Sequence, residues 1–234
     1  MNKLHSLKLE ETKKNREKAQ SIFKNLRDKI CSTLEEVENQ GSHKKNSFIS
    51  NVWNRKGGGG GESNNLRGAV IEKSGVHLST VFGSLPLGAL DSDKSVNTDQ
   101  FWATGISVIV HPKNPFAPSV HMNLRMLVTN DYWFGGGADI TPMLHSKRKS
   151  SDLDTLIFHD SMRHACEKYP SIKYEKLKEN CDEYFYIKHR NERRGLGGIF
   201  FDKLKSEETS QDLLFLNDVG YNFIESYKKI LVSN

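Results

Sequence analysis

Between Gly68 and Pro142 the apolar residues of this chain stop recurring every third or fourth position and begin to alternate. That change of period limits the fold more than any other feature of the sequence. GAVIEK and VHLSTVF are short, rich in β-branched residues and separated by Ser74-Gly75, so they read as a strand pair. FWATGISVIV and HMNLRMLV read as two further strands, and YWF (132–134) as another. Helical spacing lies on either side. Ile22, Phe23, Leu26, Ile30, Leu34 and Val37 form one stripe within a helix expected over 21–40, and Gly41 is its natural stop. After Pro142, SDLDTLIFHDSMRHACEKY and YEKLKENCDEYFYIKHR are two candidate helices. A last one starts near Thr209, where Thr-x-x-Asp resembles a capping box. A helix, then strands, then helices predicts an α+β fold with a mainly antiparallel sheet.

Two glycine runs interrupt this pattern. Gly57 to Gly61 allow either a flexible linker or a mobile flap over a site. Gly135 to Gly137 lie between the aromatics of YWF and Asp139. A β-bulge or tight turn explains one such glycine, while three together suggest that something flat or bulky must approach the backbone. Neither a Walker phosphate loop nor G-x-G-x-x-G is present.

Candidate chemistry sits on the strands. Side chains alternate across a strand, so His121, Asn123 and Arg125 point to one face while Met122, Leu124 and Met126 point to the other. The apolar set can pack a helix layer. The polar set suits a ligand, because a guanidinium recognises a carboxylate with two parallel hydrogen bonds. Ser107 and His111 share a face of the preceding strand, and Pro112, Pro115 and Pro118 stiffen the link between the two strands. Asp139, just past the bare glycines, can accept hydrogen bonds from several N–H donors of a ligand.

His159 lies one turn from Leu156 and His189 one turn from Phe185, so both are expected to point inward from helices. With His111 and His121 they make four candidate metal ligands, but their spacing fits no zincin motif. Structural hydrogen bonding remains the alternative. The three cysteines are scattered without C-x-x-C and read as free thiols of a reducing cytoplasm. The net charge of +5 comes from 34 basic and 29 acidic residues dispersed along the chain. It predicts a solvated surface rather than a nucleic-acid site, and it favours an anionic small molecule. No apolar run approaches membrane-spanning length, and the start lacks a secretory pattern.

Several long runs, taken in order, resemble the oxygen-dependent coproporphyrinogen III oxidase family. They are GGGGGES with LRGAVIEKSGVHLS, GISVIVHPKNPFAPSVHMNLR, WFGGGADITP and CDEYFYIKHRNERRGLGGIFFD, covering most of residues 50 to 204. The resemblance implies one domain over 1–234, with a helical segment over 1–45, built on a large antiparallel sheet with helices on both faces. It implies oxidative decarboxylation of the ring A and B propionates of coproporphyrinogen III to vinyl groups, giving protoporphyrinogen IX in haem biosynthesis. Molecular oxygen is the co-substrate, and no organic cofactor is implied.

The resemblance also implies a homodimer where the C-terminal part is present. The free thiols, dispersed charge and lack of a long apolar run predict a cytoplasmic protein with no nucleic-acid partner and no membrane span. His121 matches the family's proton donor. Ser107 and the run Asn123, Leu124 and Arg125 match substrate-binding positions. Arg125 and Asp139 match residues tied to activity, and His111, His121, His159 and His189 match divalent-metal positions. Family members continue into a strand-rich C-terminal part, so this chain, ending YKKILVSN, is expected to be shortened. Two readings compete with the oxidase. One is a relative that binds a tetrapyrrole or partner subunit without turnover, and the other is a metal-dependent hydrolase built on the histidines.

Overall fold

The computed structural model describes residues 3–41, 43, 45–84 and 100–234, with side chains from residue 10 onward. Seven strands form one sheet in the order β1-β2-β3-β4-β5-β6-β9, every neighbouring pair antiparallel. They are β1 (Ile49–Asn54), β2 (Gly59–Leu66), β3 (Ile71–Ser84), β4 (Gln100–Pro112), β5 (Ser119–Val128), β6 (Tyr132–Thr141) and β9 (Gly198–Leu204). The helices are α1 (Lys3–Glu38), α2 (Leu153–Glu167), α3 (Tyr174–Tyr184) and α4 (Thr209–Ser233). A two-residue ladder, β7 (Tyr186–Ile187) with β8 (Glu192–Arg193), follows α3. The α+β architecture expected from the change of period is therefore present.

Alternation decides which face of the sheet is covered. Val108, Val110, Met122, Leu124, Met126, Phe134 and Ile140 are all buried and share one face, against which α1 and α4 pack. The helices present Leu26, Ile30, Leu34, Leu216, Phe223 and Tyr227 to the same core. Fully burying such a side chain contributes roughly 1.5–3 kcal/mol. Gly220 brings the two helices close, since a Cβ there would meet Leu26 Cδ2 at 2.6 Å. The buried Tyr227 hydroxyl donates to the Pro118 carbonyl at 2.9 Å and ties α4 to the proline-rich β4–β5 link. α2 lies beside α4, and α3 packs on β9 at the sheet's end.

Several local expectations change. α1 starts at Lys3, far upstream of residue 21, and polar contacts join its middle to the sheet. Arg16 lies over the Trp102 ring and Gln20 Nε2 donates to Thr80 Oγ1 at 3.1 Å, neither of which creates an apolar stripe. Gly41, at φ 73°, ends the run as expected. The last turn of α1 then clamps the next segments. Glu38, buried, accepts backbone N–H bonds from Ala69, Val70 and Ile71, and Glu35 accepts one from Phe48 at 2.7 Å.

GAVIEK and VHLSTVF are not a pair but one strand. Gly75 leaves room for a neighbouring side chain inside β3, where a Cβ would sit 2.5 Å from His77 Nε2. The Gly57–Gly61 run is neither linker nor flap: Gly57 and Gly58 turn the β1–β2 hairpin, and Gly59 to Gly61 belong to β2. A Cβ at Gly61 would lie 2.7 Å from the Trp53 ring, so the bare strand lets that ring lie flat. At Thr209 no capping box forms. Its hydroxyl instead meets the Tyr132 hydroxyl, and Asp212 accepts from the Ser206 N–H at 2.8 Å.

Candidate active site

The face of the sheet opposite α1 and α4 carries the polar residues, and the strand register arranges them in rows. Ile109, His121, Asp139 and Gly198 stand side by side across β4, β5, β6 and β9. The next row is Ser63, His77, Ser107, Asn123, Gly137 and Phe200, and the one after holds Gly105, Arg125 and Gly135. Five of the residues singled out from the sequence therefore share one patch: Ser107, His121, Asn123, Arg125 and Asp139.

A trough runs over this patch. One lobe, about 430 Å³, lies between Ser107, His121, Asn123, Arg125, Asp139 and an aromatic wall of Tyr184, Phe185 and Phe200. A second, about 460 Å³, continues across Ser107, Asn123 and Arg125 to His77 and Trp53. Both volumes fall within the roughly 300–1,000 Å³ of small-molecule sites.

The wall is built by the last residue of α3, the residue after it and β9. Tyr184 stacks on Phe200 with ring centroids 4.1 Å apart, and Phe185 meets Tyr184 edge-on. His189 follows in a single 3-10 turn rather than on a helix and is exposed. The expected helix stops at Tyr184 because the next residues pair with β8 and the Arg194 N–H returns to the Phe185 carbonyl at 3.0 Å. The floor is glycine. Gly135 leaves room for the Arg125–Asp202 pair, since a Cβ there would lie 2.7 Å from Asp202 Oδ1 and 2.9 Å from Arg125 Nε. The register of β6 against β9 slips between Phe134 and Gly136, so the glycines hold a bulge and not a tight turn.

The charged groups are paired in a definite order. Asp139 is only 2% exposed, and its Oδ1 accepts from His121 Nδ1 at 3.0 Å. Oδ2 accepts from Arg194 through Nε at 2.9 Å and through Nη2. A donor at Nδ1 leaves His121 Nε2 free to accept a proton. Arg125 is 41% exposed and makes one long bond, Nη2 to Asp202 Oδ1 at 3.3 Å. Its Nε–H is buried without a partner. That guanidinium retains capacity for an incoming carboxylate.

Leu124 differs from its neighbours. Its side chain is fully buried on the helix-covered face, so only backbone is available to a ligand at that position. The four histidines do not form one site. His111 and His121 are edge-to-face neighbours with centroids 6.1 Å apart. His159 has both nitrogens engaged, Nε2 donating to the Leu196 carbonyl at 3.0 Å and Nδ1 accepting from the Tyr174 hydroxyl at 2.6 Å. Burial holds its pKa below the usual histidine value. Burial likewise lowers His111, with smaller contributions from Lys73 and His121. Among the described residues no three His, Cys, Asp or Glu side chains converge as a metal ion requires. The residues therefore do not fit a metal as the expected set.

The cysteines are free, and burial pushes each thiol up to about 12. No helix among the described residues is long and apolar enough to cross a membrane.

Sequence reasoning missed Arg194, Asp202, His77 and the aromatic wall. His77 was legible in principle as a polar residue inside a strand-patterned run, VHLSTVF. Arg194 was not, because its role depends on the return of the chain after α3.

Comparison with known proteins gives the family. The coproporphyrinogen III oxidase family profile matches residues 18–234. Proteins from Rickettsia peacockii (strain Rustic) and Rickettsia bellii (strain OSU 85-389), each named oxygen-dependent coproporphyrinogen-III oxidase, are 42% identical over 224 residues. The counterpart from Rickettsia felis (strain ATCC VR-1525 / URRWXCal2) is 41% identical. Each alignment covers 94% of this chain and 78% of the relative. The chain belongs to the coproporphyrinogen III oxidase family.

Proposed function

We propose that the trough binds coproporphyrinogen III and that the chain decarboxylates two of its propionates with molecular oxygen, yielding protoporphyrinogen IX. The observation that carries this reading is the convergence of Asp139, His121, Asn123, Arg125 and Ser107 on one glycine-floored trough beside an aromatic wall. A porphyrinogen has pyrrole N–H donors at its centre and carboxylates at its rim. Asp139 is the acceptor for the centre, and the two-fifths-exposed guanidinium of Arg125 receives a rim carboxylate. Gly137 lets the macrocycle lie against backbone, Gly135 makes room for the Arg125–Asp202 pair beside it, and Phe185 and Phe200 cover the other side of the ring.

Reduced pyrroles are electron-rich enough to react with oxygen directly. Oxygen adds to a pyrrole held in the site, and the resulting peroxide takes the β-hydrogen of a neighbouring propionate. CO2 leaves from the end of that arm and a vinyl group remains, while the pyrrole–oxygen bond breaks and the two electrons and the abstracted hydrogen depart as hydrogen peroxide. His121, with Nδ1 committed to Asp139, moves protons at Nε2. The reaction belongs to a cytoplasmic homodimer in this reading, with the chain as one domain. No step is assigned to a metal.

The test is incubation of the purified chain with coproporphyrinogen III, in air and under argon, with porphyrin products separated and quantified. Vinyl product in air and none under argon is expected, with activity in Asp139→Ala and Arg125→Ala reduced at least about a hundredfold. Product under argon removes the oxygen chemistry. Tight binding without vinyl product in air favours a relative that binds the tetrapyrrole without turning it over.

A further inference from the structure

Asp139 has no vacant oxygen. Oδ1 is held by His121 and Oδ2 by two N–H groups of Arg194, with the carboxylate almost wholly buried. Oδ1 keeps a spare lone pair, but at 2% exposure the carboxylate is out of a ligand's reach, so a ring of N–H donors reaches it only by replacing one partner. The two partners are not equally replaceable. His121 has a short side chain on β5, an interior strand flanked by β4 and β6. Arg194 has a long flexible stem, is 36% exposed, and follows directly on the two-residue β8. Gly195 and Gly197, at φ 58° and 76°, come next and let the chain turn sharply there.

The Arg194 guanidinium also lies 3.6 Å from the centroid of the Phe185 ring, which lines the same lobe. One swing of this side chain therefore uncovers both a carboxylate and an aromatic face. A flat ring with central N–H groups needs that pair of surfaces, an acceptor at its middle and an apolar plane to stack on.

We propose that Arg194 is a resident stand-in for the ligand's N–H donors. It holds Asp139 while the trough is empty, yields it to the macrocycle, and then turns to one of the ligand's rim carboxylates. This rests on the reading of Asp139 as the macrocycle's acceptor. The physical need is plain, because a buried carboxylate without a partner is strongly destabilising. The consequence is selectivity. A ligand's N–H bonds to Asp139 are offset by the Arg194 bonds they replace, so the core of the ring adds little net affinity. Only a ligand that brings its own carboxylates re-pairs the displaced cation. Arg194 is thus a specificity-determining residue that discriminates against rings with uncharged rims.

The experiment measures binding of two reduced rings, kept under argon so that no turnover occurs. One is coproporphyrinogen III and the other an octaalkylporphyrinogen with no carboxylate. The readout is quenching of tryptophan fluorescence, Trp53 being in the trough wall. Arg194→Ala is expected to bind the alkyl ring about tenfold more tightly and the tetracarboxylate about tenfold more weakly. Arg194→Lys, which keeps the charge but loses the paired donors, is expected to shift both ligands the same way by less. Weakening of both ligands together, or no change in either, overturns the proposal. Circular dichroism and thermal melting check the fold of Arg194→Ala, and if it is not folded the Lys variant decides by the same opposed shifts. Asp139→Asn separates the underlying reading. Made in the Arg194→Ala background, where no resident cation competes for the carboxylate, it is expected to weaken binding of the alkyl ring; if it leaves that binding unchanged, Asp139 is not the acceptor.

Discussion

Gly135 and Gly137 lie two residues apart on the same face of β6, yet a methyl group at each should fail in a different way. At Gly137 the added Cβ would strike the Ile199 carbonyl oxygen and approach Phe200 Cα to 3.1 Å. Both are backbone atoms of β9, so relief requires β9 to move away. Overpacking of this kind costs roughly 1–3 kcal/mol, and each ladder hydrogen bond lost adds about 1 kcal/mol. Gly137→Ala is therefore expected to destabilise the chain by about 2–4 kcal/mol.

At Gly135 the Cβ would meet only side-chain ends, Asp202 Oδ1 and Arg125 Nε, which can swing aside. That ion pair is more than two-fifths exposed on both sides and worth at most about 1 kcal/mol. Gly135→Ala should change stability by less than about 1 kcal/mol while displacing the Arg125 guanidinium and weakening binding of the tetracarboxylate. Urea unfolding at fixed pH, followed by far-UV circular dichroism and analysed for both midpoint and slope, reads the first quantity. Fluorescence titration reads the second. If Gly137→Ala unfolds at the wild-type midpoint, or Gly135→Ala is the less stable of the two, the account of the glycine floor is wrong.

Glu38→Ala removes the acceptor of three backbone N–H groups, Ala69, Val70 and Ile71, and should cost about 3–5 kcal/mol. Glu38→Gln, which keeps one acceptor oxygen, should lie between it and the wild type in a thermal melt; equal melting temperatures for all three would refute the clamp. His111 and His159 have folded pKa values below the ordinary histidine value of about 6.5, both chiefly through burial. The unfolded chain thus takes up protons first, so their contribution to stability is full above pH ~6.5 and lost as pH falls toward the folded values. Urea midpoints between pH 7.5 and 5.5 should fall, and less so in His159→Gln; parallel curves would exclude His159 as a source.

Much of the open face was readable before any coordinates. Alternation in HMNLRMLV separates His121, Asn123 and Arg125 from Met122, Leu124 and Met126, and the burial of the second set follows that pattern. The order of helices and strands followed from the change of period, and Gly41 marked a real end. Glycine inside strands misled because its usual meaning, a turn, competes with another, room for a neighbour. Gly75 beside His77 and Gly61 beneath Trp53 are of the second kind, and only the register across strands tells the two apart.

The sequence by itself determined which residues share a face, because side-chain direction along a strand depends on local geometry of period two. It also determined the family, through runs long enough to be matched without a fold. Tertiary structure decided what those side chains face. That Asp139 is closed by Arg194, that Arg125 keeps an unpartnered N–H, and that His159 spends both nitrogens on Tyr174 and Leu196 all arise from contacts between distant segments. No local period encodes such pairings. They follow from how α3 and the chain after it fold back over the sheet.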